Sequence, residues 1–177
     1  MKYLILCAIA LTFMACGEKT STSETTKTET TKTETTSTPA PAETVSNGIV
    51  LKENGLKVSK AILLHADGSA ISDDNTVGIG DDVLCRLFIS GWKEENGRVK
   101  LGAAQTIETG DGDIVLEQED LFETLESASI EDAGVITVKA TITELKKSIR
   151  DFVVNFRIWD KSTQAEVSGS YNFHLKY

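Results

Sequence analysis

Hydrophobic and polar residues alternate along most of the chain from residue 49 onward. The clearest example is the stretch 166–177, where every second side chain is apolar or small and those between are polar. The apolar or small set is Val167, Gly169, Tyr171, Phe173, Leu175 and Tyr177. Because successive side chains of a β-strand point to opposite faces, this pattern predicts a strand with one buried and one solvated face.

Other segments show the same period of two or an unbroken apolar run. Alternation at 136–143 and 152–158 predicts two more half-buried strands, and the run 83–89 predicts a central strand that is apolar on both faces. Further strands are expected at 49–51, 56–65, 99–107 and 114–116. Turn-forming Asp, Asn and Gly residues separate these segments. The segment 119–127 is the one helical candidate, a helix of one or two turns that crosses between sheets.

Seven or eight short strands at this spacing predict an all-β protein, an antiparallel β-sandwich with an immunoglobulin-like layout. A small β-barrel is the alternative. The segment 130–134, Ile-Glu-Asp-Ala-Gly, resembles the turn before strand F of immunoglobulin domains. Ile136 and Val138 stand where such domains carry Tyr and Cys. The resemblance is therefore to the sandwich architecture, and it implies no function.

The N-terminus resembles a bacterial lipoprotein signal peptide. Lys2 precedes an apolar run that ends at Phe13, and Met14, Ala15 and Cys16 follow. This run is too short for a transmembrane helix, which needs about 20 residues. Phe13 and Met14 depart from the usual lipoprotein pattern, whereas a small residue directly before a cysteine fits it. The resemblance implies cleavage after residue 15 and lipid attachment at Cys16; an ordinary secretory signal cleaved near Ala15 is the alternative.

The segment 16–45, called the tether below, is rich in threonine and serine. From Thr20 to Thr38, 14 of 19 residues are Thr or Ser, and none is a large apolar residue. Such a chain cannot bury enough surface to offset its ordering entropy, so we expect disorder. A flexible chain of this length spans about 30 Å on average and about 100 Å when stretched. Gly17 follows Cys16, and a residue other than Asp at this position resembles the pattern of outer-membrane lipoproteins. The resemblance implies that the domain at 46–177 faces the periplasm or the cell surface.

The charge and the cysteine content narrow the classes of partner. The chain has a formal net charge of −9, and from Ser46 onward it has 22 Asp and Glu against 14 Lys and Arg. An acidic domain lacks the basic stripe that binds nucleic acid and is repelled by anionic lipid head groups. We therefore expect no nucleic-acid partner, and membrane contact through the lipid anchor alone. Only Cys85 lies in the domain, which predicts a buried, inert thiol.

Two groups of residues are candidates for ligand binding. Trp92 and Trp159 come at the ends of predicted strands, where an exposed indole stacks on a sugar ring and a buried one closes the core. Aspartates in predicted loops are candidates for calcium, which binds carboxylate oxygens, although Asp is also a common turn residue. The six aspartates are Asp73, Asp74, Asp81, Asp82, Asp111 and Asp113.

The sequence lacks the motifs of the common hydrolases, nucleotide-binding proteins and zinc proteases. It has no Gly-x-Ser-x-Gly, no phosphate-binding glycine loop and no His-Glu-x-x-His, and its two histidines, His65 and His174, lie far apart. We therefore predict no enzymatic activity, no cofactor and no resident metal. The sequence favours a lipid-anchored envelope protein whose sandwich binds an envelope protein partner. A surface module that binds glycan or calcium is the alternative.

Overall fold

A computed structural model describes residues 44–144 and 149–176, which form two facing β-sheets. These residues belong to one compact unit, Pro39–Tyr177. The predicted signal peptide, Cys16 and the tether up to residue 43 lie outside the described residues. Within those residues, no helix is both long and apolar enough to cross a membrane.

The described residues form twelve strands and one single-turn helix. In chain order these are β1 (Thr44–Val45), β2 (Val50–Asn54), β3 (Lys57–Leu64), β4 (Thr76–Gly78), β5 (Asp82–Ser90), β6 (Arg98–Val99), β7 (Leu101–Thr109), β8 (Ile114–Gln118), β9 (Ala128–Ser129), α1 (Ile130–Ala133), β10 (Val135–Thr141), β11 (Asp151–Asp160) and β12 (Glu166–Lys176).

The strands pair into two main sheets, called the first and the second sheet below. The first has the order β1-β3-β5-β10, and the second has the order β2-β12-β11-β7-β8. Pairing is antiparallel except for β1 beside β3, and for β4, which lies parallel to the end of β12. Strands β6 and β9 form a separate two-stranded ribbon. The predicted antiparallel, immunoglobulin-like sandwich is confirmed, and the structure adds four strands of two or three residues.

The core lies between the inner faces of the two sheets. On β12 the alternation seen in the sequence places Val167, Tyr171 and Phe173 inward, each at most 1% exposed. The ring of Phe173 stacks on that of Phe152 of β11, with centroids 5.3 Å apart. Strand β5 is central in the first sheet, as predicted, with one face fully buried and the other half-buried. The sequence pattern therefore identified the residues that hold the sheets together.

The predicted helix at 119–127 is wrong, because this segment forms turns. The backbone N–H of Leu121 donates to the carbonyl of Ala103 on β7 at 2.6 Å, and Asp120 Oδ1 accepts from the N–H of Ala103 at 3.2 Å. These bonds attach the segment to β7, and within the segment the N–H of Leu125 donates to the carbonyl of Phe122 at 3.1 Å, which closes a turn and not a helix. The single helix turn is α1, and the hydroxyl of its N-cap residue Ser129 accepts a hydrogen bond from the backbone N–H of Asp132 at 3.0 Å.

Two buried asparagines with positive φ connect strands of both sheets. The Nδ2 of Asn47 donates to Asn75 Oδ1 at 3.1 Å and to the carbonyl of Ile71 at 3.0 Å. The Nδ2 of Asn75 donates to the carbonyls of Asn47 and Asn172, both at 2.8 Å. Asn172 lies on β12, and the N–H of Leu63 on β3 donates to Asn47 Oδ1. The two amides therefore join the first sheet to the second.

Candidate binding surfaces

Trp92 belongs to the core. Its side chain is 8% exposed, and its Nε1 has no hydrogen-bond partner among the described residues. The next residue is fixed by Asp160, which is 1% exposed and accepts from the backbone N–H groups of Lys93 and Ser162, both at 2.7 Å. The indole of Trp92 thus closes the core beside the β11–β12 turn and is not accessible to a sugar ring.

Trp159 lies half-buried on the outer face of the second sheet, at a shallow depression of about 340 Å³. One edge of its indole covers Gly102 of β7, where a Cβ atom would come within 2.3 Å of Cε2. The guanidinium of Arg157 lies over the ring, 5.0 Å from its centroid, and its Nε donates to Glu166 at 2.7 Å. A sugar would have to displace this arginine before stacking, so the geometry does not favour a sugar site here.

The six candidate calcium ligands lie in three places along the chain, two before β4, two at the start of β5 and two before β8. Asp74 accepts a hydrogen bond from the Ser72 hydroxyl, and this bond, with others from Thr76, lowers the pKa of the carboxyl group. Asp81 and Asp82 also accept hydrogen bonds from nearby groups. The remaining three are exposed: Asp73, Asp111 and Asp113. In the described part of the chain, no group of three or more His, Cys, Asp or Glu side chains is placed to hold a metal ion.

The side chains that most often act as nucleophile or base lie apart from one another. Cys85 is buried, as predicted, and desolvation raises the pKa of its thiol to about 12. The thiol is therefore protonated and enclosed at neutral pH. On the surface, Nδ1 of His174 lies 2.6 Å from Oδ1 of Asp151. This exposed pair lies on the surface of the domain, apart from the buried thiol.

Part of the edge of β3 is covered by a side chain instead of a strand. Glu53 Oε1 accepts from the backbone N–H of Val58 at 2.6 Å, and Oε2 accepts from Lys57 Nζ at 2.9 Å. The bond from Lys57, followed by the bond from Val58, lowers the pKa of Glu53. These groups line a shallow depression of about 450 Å³ beside β1. The carboxylate thus satisfies a strand N–H that β1 is too short to reach.

Most exposed apolar side chains lie on strands at the margin of a sheet. Seven large apolar residues of the described chain are exposed, and five of them lie on such strands. The five are Val45 on β1, Val50 on β2, Ile114 and Val115 on β8, and Val135 on β10. A sheet edge presents backbone N–H and C=O groups that a second chain can pair with. An apolar strip beside such groups makes these edges candidate surfaces for protein binding.

Strand β8 carries the largest exposed apolar strip of these edges. Ile114 is 61% exposed and Val115 49% exposed. In the described part of the chain, β8 pairs only with β7, and its other side ends the second sheet. The register shifts because Ile107 pairs with Leu116 while Glu108 pairs with Ile114. This shift leaves Val115 without an opposite residue, as in a β-bulge.

The chain around β8 is uniformly acidic. Between Lys100 and Lys139 the sequence has ten Asp and Glu residues and no Lys or Arg. Four of the ten flank β8 or lie on it and are exposed: Asp111, Asp113, Glu117 and Glu119. The distribution of charged residues along the sequence would have predicted this acidic cluster, which the total net charge does not show.

No family model matches the sequence, and no curated protein matches it. Similar solved structures include the C-terminal domain of wzt, which is 16% identical, with 78% of this chain and 83% of that chain covered and a TM-score of 0.47. They also include an immunoglobulin-like protein from Pseudomonas aeruginosa, which is 13% identical, with 72% of this chain and 97% of that chain covered and a TM-score of 0.33. Similarity at this level concerns the arrangement of strands, and no ligand or partner is transferred from it.

Proposed function

We propose that this protein is a non-enzymatic binding module, held on a bacterial membrane by lipid at Cys16, that presents its β-sandwich to another envelope protein. The observation that supports binding most directly is the concentration of exposed apolar side chains on edge strands. An edge strand offers a partner a row of backbone hydrogen-bonding groups and an apolar strip, and it requires no reactive side chain. The threonine-rich tether supplies reach from the membrane to that partner.

The sequence around Cys16 supports lipid attachment at this residue, and substitution of Cys16 tests it. We expect Cys16→Ser to move the protein from the membrane fraction to the aqueous fraction and to abolish incorporation of labelled palmitate, since the thiol is the acceptor of the lipid. Cys7→Ser is the matched control, because Cys7 lies within the predicted signal peptide and leaves with it. Membrane association that survives Cys16→Ser would contradict the anchor.

The binding role is tested by photo-cross-linking in intact cells. A photoreactive amino acid is placed in turn at Val50 on β2, Glu117 on β8 and Thr137 on β10, all of which are exposed on edge strands. Ser168, on the outer face of the central strand β12, is the control position. We expect one discrete product from at least one edge position and none from Ser168. Absence of any product, or a hydrolytic activity that is lost with a single carboxylate, would refute the proposed function.

A further inference from the structure

We infer that β8 binds an extended basic segment of the partner protein, which adds as a further strand to the open side of the second sheet. This inference rests on the proposed function and specifies both the edge and the chemistry of its partner. Strand β8 is five residues long and lies at the end of the sheet order. A partner strand placed there continues the sheet through main-chain hydrogen bonds.

The exposed side chains of β8 favour this edge over the others. Strand β1 is only two residues long. Strand β2 exposes one large apolar residue, Val50, and strand β10 also exposes only one, Val135. Strand β8 exposes two in succession, Ile114 and Val115, and the bulge of this strand falls at that pair. The apolar strip available to a partner is therefore largest at β8.

The charge of this edge selects a basic partner. Glu117 and Glu119 are exposed, and no ion pair joins either one to a Lys or Arg of the described chain. Asp111 and Asp113 add two more carboxylates at the start of the strand. Lysine or arginine side chains on an added strand would lie beside these groups, where opposite charges across a strand pair stabilise it and like charges destabilise it.

The same charges exclude a second copy of this chain as the occupant. In an antiparallel pair of two β8 strands, Asp111 and Asp113 of one copy would approach Glu117 and Glu119 of the other. Acidic residues and bulges are known means of keeping an edge strand from pairing with itself. On β8, two apolar side chains stay exposed among the acidic residues. A basic strand can therefore pair with this edge, whereas an acidic strand is repelled.

The test uses the full lipidated protein in nonionic detergent and measures peptide binding by fluorescence anisotropy at 0.15 M salt. The probe is a labelled peptide that alternates lysine and valine over nine residues. One control peptide has glutamate in place of lysine, and a second keeps every side chain but is N-methylated along its backbone. We expect the first peptide alone to bind, because strand addition needs both the positive charge and the backbone N–H groups.

Paired variants locate the site on the protein. Glu117→Lys should weaken binding of the basic peptide by about tenfold, equivalent to about 1.4 kcal/mol, since it replaces a cross-strand attraction by a repulsion. Asp73→Lys makes the same change of net charge beside β4, at the opposite edge of the second sheet, and should leave affinity within about twofold. Val115→Ser should also weaken binding, whereas Val50→Ser on β2 should not.

Three outcomes overturn this inference: no binding of the basic peptide, equal binding of its N-methylated form, or equal losses in Glu117→Lys and Asp73→Lys. The last two would mean that peptides are attracted only by general negative charge. None of these outcomes refutes the proposed function, because the cross-linking experiment would still detect a partner at β2 or β10. A cross-link at those edges together with a failed peptide test would retain the binding module and move its site.

Discussion

Replacing Asn75 should destabilise the sandwich more than any exposed substitution. Its amide donates to two carbonyls at 2.8 Å, on Asn47 and on Asn172 of β12, and its backbone has φ +52°. Each of these two lost bonds leaves a carbonyl unsatisfied, one buried and one partly buried, at a cost of about 1–1.5 kcal/mol. A positive φ without the local tolerance of Asn costs about 1 kcal/mol more. Asn75→Ala should therefore lower the free energy of unfolding by about 3–4 kcal/mol.

Two further variants separate the hydrogen bonds from the backbone conformation. Asn75→Gly loses the same amide but tolerates positive φ, so we expect a loss of about 2–3 kcal/mol. Asn96→Ala is the matched control, because Asn96 also has positive φ (+56°) but lies exposed in a turn. It should cost only the conformational part, about 1 kcal/mol.

Urea unfolding followed by tryptophan fluorescence measures these differences by linear extrapolation. In thermal unfolding, Asn75→Ala should lower Tm by about 9–20 °C, given about 3–5 °C per kcal/mol for a domain of this size. If Asn75→Ala costs no more than Asn96→Ala, the amide bonds contribute nothing, and the reasoning that the two asparagines join the sheets is refuted.

Three other substitutions or reactions test the core and one edge. Tyr171→Phe should leave stability unchanged or raise it by about 1 kcal/mol, because the buried hydroxyl has no hydrogen-bond partner among the described residues; a clear loss in urea unfolding would reveal a partner. The thiol of Cys85 should not react with a thiol reagent at pH 8 until urea unfolds the protein, since its pKa is raised to about 12; rapid labelling of the folded protein would contradict its burial. Glu53→Gln should lower the free energy of unfolding by about 1 kcal/mol at pH 7 and by progressively less as the pH falls below 4.5. The reason is that the pKa of this carboxyl group is lowered in the folded protein, so its contribution is complete above the unfolded pKa and is lost as the pH falls through the folded one; a loss that does not change with pH would exclude the charged form.

The long strands were predictable because their side chains alone decide which face is buried. Alternation placed Val167, Tyr171 and Phe173 inward on β12, and the structure confirms this. Strand β4 was not predictable, because its three residues become a strand only where the end of β12 offers an edge to pair with. The helix expected at 119–127 failed for the same kind of reason, since distant bonds to Ala103 decide that conformation.

The candidate surface was predictable only in part. The sequence indicated a strand at 114–116, and the structure has β8 over Ile114–Gln118. Its position at the end of the second sheet follows from pairing between distant segments. The alternation of apolar and polar residues predicts a strand but not the strands that pair with it. The solvent exposure of Trp92 and Trp159 depended in the same way on which residues pack against them, Arg157 and Gly102 in the case of Trp159.

The place of β12 in the second sheet determines when the domain can assemble during synthesis. Strand β12 pairs with β11 on one side and with both β2 and β4 on the other, yet it follows every other described strand in the chain. Strands β2 and β4 therefore have no neighbour in that sheet until more than a hundred residues after β2 have been made. The second sheet therefore closes on its β2 and β4 side only after β12 has been made, so completion of this sheet is a late step of synthesis.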